Sequence, residues 1–292
     1  MRRSAAALPV LIATLWTCGV ATRPQGTPPG YEPTPNGLVH RSCIHTIPDG
    51  HRVTASGVII SPDGRRETLP PCRYPHLALR TLDTVLADSG WIMSAGWSSG
   101  DTVIGSLTST YVVPTQPSMQ GGLSYFFPGV NVKAILQPVL ASHPDGTWTM
   151  RNAYCCTEHR VTQGTAVNVN PGDTLVGSIT STCSASGCDW TITTIDLTSA
   201  DTITLAVDSV TVPAQSVAAG VLEAYGVSDC TQFPASGSIT FSNVTVTDQA
   251  GNQLPAAWHS SDWEKYPLDC GFSVAITDAG ATLSWADTAT SP

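Results

Sequence analysis

The chain has 292 residues, of which 41% are hydrophobic, 7% aromatic and only 12% charged, against roughly 25% charged in the average soluble protein. Low charge with ample apolar content excludes a disordered chain. A net charge of −9 and a pI near 5.0 exclude a nucleic-acid binder of the usual kind. The 25 Gly, 22 Pro and abundant Thr, Ser and Val favour strands and turns, and the length suffices to bury a large core without a metal or a partner.

Met1-Arg2-Arg3 is a positive leader, followed by an apolar run from Ala5 to Trp16. That run is too short for a membrane helix, which needs about 20 residues. Residues 1–21 are therefore expected to be a secretory signal cleaved near Ala21. A lipid anchor on Cys18 is the rival, but Trp16 stands where small residues belong. No other segment is apolar enough to span a membrane, so an extracellular protein is expected, with no membrane contact after signal removal. Nine Cys become eight once Cys18 is removed, an even number in an exported chain, which points to disulfides. Cys183 and Cys188 bracket a short loop and read as a hairpin staple. Cys43 and Cys72 are expected to pair within the N-terminal segment, and Cys230 with Cys270 is an assignment without a spacing argument. Cys155 and Cys156 pair with each other only in a strained ring. Zinc is the alternative for the thiols, but no C-x-x-C pair or neighbouring His is visible, so no metal or other cofactor is expected.

Charge divides the chain near residue 90. Residues 24–90 hold six Arg, six acidic residues and His40, His45, His51 and His76, whereas 91–292 carry four Lys or Arg against 16 Asp or Glu, a balance of −12. The early part opens on a Pro/Gly-rich stretch, Pro24 to Pro35. Short β-like runs follow around the Asp49-Gly50 and Asp63-Gly64 turns, then apolar spacing that suits one helix over His76–Asp88. From Trp91 onward a dozen short runs alternate with turns such as Asn170-Pro-Gly-Asp173. This predicts an all-β, antiparallel double-sheet sandwich or a barrel, without internal repeats. The expected organisation is a signal over 1–21, an N-terminal extension over 22–90 and a β-sandwich over 91–292.

No phosphate loop, H-E-x-x-H or nucleophile elbow is present. His143, His159 and His259 lie in polar loop-like contexts that do not support a Ser-His-Asp triad. The seven Trp outside the leader suit plugs between two sheets better than a sugar-binding face. Asn243-Val-Thr245 is a glycosylation sequon. Of five Glu, only Glu223 lies within an apolar strand-like run, where alternation puts Val221, Glu223 and Tyr225 on one face and Leu222, Ala224 and Gly226 on the other. Partial burial there would raise its pKa and suit acid–base work in acid. Gln137, within Ala134-Ile-Leu-Gln-Pro-Val-Leu140, is a polar amide that must find a partner or bear a desolvation cost.

With their flanks, these residues resemble the glutamic peptidases (eqolisins). Ala134-Ile-Leu-Gln137 is similar to the family's Ala-Ile-Leu-Gln, and Val221-Leu-Glu223 falls at the place of the family's Glu. Trp91–Trp97, Gly105–Pro114, Asn168–Leu175 and Ser238–Val244 are similar in patches, so that residues 91–248 are covered. Phe127 and Asn131 stand where the family carries Trp and Asp. The resemblance implies a lectin-like (concanavalin A-like) sandwich and a monomeric, cofactor-free acid endopeptidase acting on polypeptides. Glu223 would activate water and Gln137 would stabilise the oxyanion, with Phe127, Asn131 and Tyr225 contacting substrate. It also implies that 22–90 is the propeptide of a zymogen, with protonation of its His residues as a release trigger. A lectin-like binder or inert surface protein on the same sandwich is the alternative. Gln137 and Glu223 facing one open groove would favour the enzyme, and a filled groove or opposite sheets the binder.

Overall fold

A computed structural model describes residues 27–35, 37–77, 89–157, 160–211, 213–262 and 268–287. The expected signal and most of the expected helix over 76–88 lie outside these residues. The described residues form an all-β, two-sheet sandwich with an N-terminal hairpin laid on one outer face. No described helix is long and apolar enough to cross a membrane.

The first described elements are the hairpin strands β1 (Tyr31–Thr34) and β2 (Gly37–His40). Four three-residue strands follow: β3 (Ile44–Thr46), β4 (Arg52–Thr54), β5 (Val58–Ile60) and β6 (Arg66–Thr68). Next come β7 (Ser89–Ser98), β8 (Ile104–Val112), β9 (Leu123–Asn131), β10 (Ile135–Ser142), β11 (Trp148–Thr157), β12 (Arg160–Gln163) and β13 (Val167–Val169). The long strands β14 (Thr174–Ser184), β15 (Gly187–Asp196), β16 (Thr202–Val210), β17 (Ser216–Tyr225) and β18 (Ser238–Asp248) carry the second half. The chain closes with β19 (His259–Asp262), β20 (Ser273–Thr277) and β21 (Gly280–Ser284).

One sheet runs β19-β7-β17-β9-β10-β11-β12-β3, with β13 also on β11, and the other β20-β21-β18-β8-β14-β15-β16-β4-β5-β6. The N-terminal extension therefore extends one end of each sheet, with β3 parallel to β12 in the first and β4, β5 and β6 added to the second, β4 parallel to β16. Ile47 and Val53, on the crossing between them, are buried in the main core.

Alternation explains the two apolar layers. Leu222 and Ala224 of β17 face the inter-sheet core with Phe126, Trp148, Trp190 and Phe241. Val221 and Tyr225 face outward, into a second cluster with Tyr125, Phe127, Val139, Ala141 and Ala153, capped by Leu38 of β2. The hairpin thus converts an outer sheet face into a buried one. Gly220 is required by close packing, since a Cβ there would sit 2.2 Å from the Phe241 ring. Asn152 ties the sheets together: its amide donates to the Ile192 carbonyl at 2.9 Å and the Ile203 carbonyl at 3.0 Å, and accepts from the Thr194 hydroxyl at 2.6 Å. Such buried polar groups are tolerated when every partner is in place.

Disulfides join Cys43–Cys72, Cys155–Cys156, Cys183–Cys188 and Cys230–Cys270. The expectation that no His adjoins the thiols is corrected. The His76 ring and both sulfurs of Cys155 and Cys156 lie within 4.8 Å of one another, although the cysteines are oxidised to a disulfide.

Candidate functional site

Gln137 and Glu223 are both fully buried polar residues on the outer face of the first sheet. They lie on strands β10 and β17, on either side of β9. Their rows differ: Leu136, next to Gln137, is opposite Val130 on β9, whereas Glu223 is opposite Tyr125. Phe127, opposite Val221, lies between these rows. The pair is therefore diagonal across β9, one member near each end of a short groove. Pairing of β17 with β7 slips between Leu222 and Glu223, and Glu223 faces Trp91 across that irregularity. Bulges of this kind re-aim a side chain.

The groove is occupied by the chain's own N-terminal hairpin. Three side chains aim donors at three successive carbonyls of that segment. The Tyr125 hydroxyl donates to Pro33 at 3.0 Å, the Tyr225 hydroxyl to Thr34 at 3.0 Å, and the Gln137 amide points at the Pro35 carbonyl from 3.5 Å, a weak contact beyond the usual range of about 2.7–3.2 Å. Tyr225 also hydrogen-bonds the Glu223 carboxylate. Burial, with the Glu223 charge beside it, holds the Tyr225 phenol well above its ordinary pKa, so it stays a donor. Tyr125 is pushed up by burial in the same way. The other amide atom of Gln137, Oε1, is buried without a hydrogen-bond partner among the described residues. Leaving such an acceptor unpaired costs about 1–3 kcal/mol.

Beyond Gln137 the hairpin and sheet enclose a cavity of about 70 Å³, bordered by Pro33, Pro35, Val139, Ala141, His143 and Arg151. Burial pulls the Arg151 guanidinium below its ordinary pKa, opposed by Tyr125. Burial also lowers His143, whose ring nitrogen bonds the Thr149 hydroxyl at 2.8 Å.

Of the residues singled out in the sequence, Gln137, Glu223, Tyr225 and Phe127 share this face. Asn131 sits exposed at the end of β9, opposite Ile135 and Ser216, apart from the residues that hold the hairpin. Sequence reasoning missed Tyr125, Trp91 and Arg151. Tyr125 shares the parity of Phe127 on β9, but Phe127 was singled out by its place in the resemblance, which gives Tyr125 no role. Trp91 packs edge-on to Phe127 with ring centroids 6.0 Å apart, and its indole nitrogen is buried without a partner among the described residues. Trp148, Trp190, Trp258 and Trp285 are core plugs, as read from composition.

No protein-family model and no curated relative matches the chain. Solved structures that it resembles include scytalido-glutamic peptidase with a transition-state analogue inhibitor, at 15% identity and a TM-score of 0.49, over 68% of this chain and 98% of that one. Another is SCP-B, a member of the eqolisin family of peptidases bound to the tripeptide Ala-Ile-His, at 15% identity and a TM-score of 0.48, with coverage of 68% and 98%. A tailspike protein of bacteriophage CBA120 follows at 12% identity and a TM-score of 0.31, over 49% of this chain and 22% of that one. All are distant likenesses.

Proposed function

We propose that the chain is an exported acid endopeptidase of the glutamic type, held latent by its own N-terminal segment. The observation that carries this reading is a stretch of polypeptide lying against a buried Glu and a buried Gln, with its Pro35 carbonyl toward the Gln137 amide. Four disulfides support an oxidising, extracellular setting.

In the proposed reaction Glu223, as carboxylate, takes a proton from a water that attacks the scissile carbonyl. Negative charge then grows on the carbonyl oxygen, where the Gln137 amide donates. A fixed donor at that point is worth about 3–4 kcal/mol. Glu223 returns its proton to the departing nitrogen, and the C–N bond breaks. The buried setting strengthens each hydrogen bond relative to water.

Residues 22–90 act on this reading as a propeptide, the hairpin covering the groove and β3 to β6 clamping it onto both sheets. The groove is filled, which by itself favours the binder, but it is filled by the N-terminal hairpin and not by core side chains, so the peptidase reading requires release of that hairpin. The test is to incubate the secreted protein at about pH 3–4 with casein and pepstatin while sequencing its N-terminus. Casein cleavage with a new start near residue 90 supports the reading; an intact N-terminus and undigested casein refute it.

A further inference from the structure

The geometry points to a substrate class: we propose that the groove takes proline-rich peptide and cuts on the carboxyl side of a proline. This rests on the peptidase reading above and names the substrate of that same site. Every described hydrogen bond between the groove and Pro33-Thr34-Pro35 is donated by the groove to a backbone carbonyl. A groove that bound by adding a strand would instead alternate donors with acceptors for the ligand's N–H groups. Proline has no N–H and a fixed φ. At the positions of Pro33 and Pro35 a prolyl residue therefore forfeits nothing, and it enters with less conformational entropy to lose.

Shape agrees with hydrogen bonding. Pro33 and Pro35 border a small cavity whose sheet side offers the short apolar Val139, Ala141 and Ala153, which leave room for a ring, alongside the polar His143, Thr149, Arg151 and Gln163. The register follows from Gln137. Its amide faces the Pro35 carbonyl, so a substrate on the same path offers a prolyl carbonyl to the oxyanion donor. Water adds to that carbonyl carbon, the bond from proline to the next residue breaks, the proline becomes the new C-terminal acid and the released amine takes the proton from Glu223. The chain turns back at Pro35 to form β2, so only the half of the groove upstream of the bond is filled by the hairpin.

The experiment uses the full chain after acid incubation. A proteome-derived peptide library is digested and its cut sites are read by mass spectrometry. In parallel kcat/KM is measured for Tyr-Glu-Pro-Thr-Pro-Asn-Gly and for the same peptide with Ala at the second proline. The expected result is cuts enriched for proline immediately before the broken bond, and a loss of about 10- to 100-fold on the Pro-to-Ala change, the discrimination a shaped pocket gives. Cleavage that depends on Glu223 but shows no proline preference overturns this inference and leaves the peptidase reading standing. Absence of any cleavage, with wild type and Glu223→Gln alike, brings down the peptidase reading itself.

Discussion

Gln137 and Tyr225 hold neighbouring carbonyls of one peptide, and they differ in what their loss should do. On the proposed reading Gln137→Ala removes the donor that meets developing negative charge, so kcat should fall by about 10²–10³, with KM changed little. Steady-state kinetics on casein-derived peptides checks this. Tyr225→Phe keeps the ring in the outer cluster but removes the hydroxyl whose single proton is shared between Glu223 and the Thr34 carbonyl. A donor to a carboxylate favours its charged form. Without it Glu223 protonates more readily, and the acid limb of the kcat/KM profile should move to higher pH. An unmoved limb would separate Tyr225 from the base. Gln137 and Glu223 were legible in the sequence because each is a polar residue amid apolar alternation. Tyr125 and Trp91 were not, because an aromatic in a strand reads the same whether it faces the core or a groove, and only the strand register tells these apart.

At the level of elements, the long strands were legible: β18 coincides with the run read over Ser238–Asp248, and β14, β16 and β17 start or end within two residues of their runs. The N-terminal strands were read only as short runs around turns. Their partners, β12 and β16, lie more than a hundred residues away, and three-residue parallel edges leave no period to detect. The same strands carry an acid-sensitive group. His45 of β3 is held below its ordinary pKa, first by burial and then by the Arg160 charge on β12, and its Nε2 is buried without a hydrogen-bond partner among the described residues. A base with a depressed folded pKa costs nothing above its ordinary value near 6.5. As pH falls below that value the detached strand takes a proton that the docked one refuses, so docking weakens by up to about 1.4 kcal/mol per pH unit until the folded pKa is reached. Backbone hydrogen exchange in β3 should therefore rise between neutral and acid pH, and His45→Gln should flatten that rise. Equal pH profiles in the two proteins would remove His45 from the release step.

For the whole molecule, the extension is both cover and structural part. It supplies Ile47 and Val53 to the inter-sheet core and Leu38 to the outer cluster, and it is closed by Cys43–Cys72. Replacing both cysteines by Ser should cost about 3–4 kcal/mol by the loop-entropy account. The loss should appear first as earlier proteolysis of residues 27–77, and then as a lower Tm of the sandwich in calorimetry. If the sandwich melted unchanged, the extension would be an independent appendage. Low overall charge suits this architecture in acid, since few ion pairs among the described residues are there to be lost on protonation; Arg52–Asp208 is one that ties the extension to β16. The charge division near residue 90 was visible in the sequence, but the interleaving of extension and sandwich was not, because composition records no long-range pairing.

The central claim is that Glu223 is the base of a peptide hydrolase. Its most direct test is casein digestion at about pH 3–4 by acid-treated wild type and Glu223→Gln, with circular dichroism to confirm that both are folded. The account predicts pepstatin-insensitive digestion by the wild type and none above background by the variant. Equal digestion by the two folded proteins would contradict it.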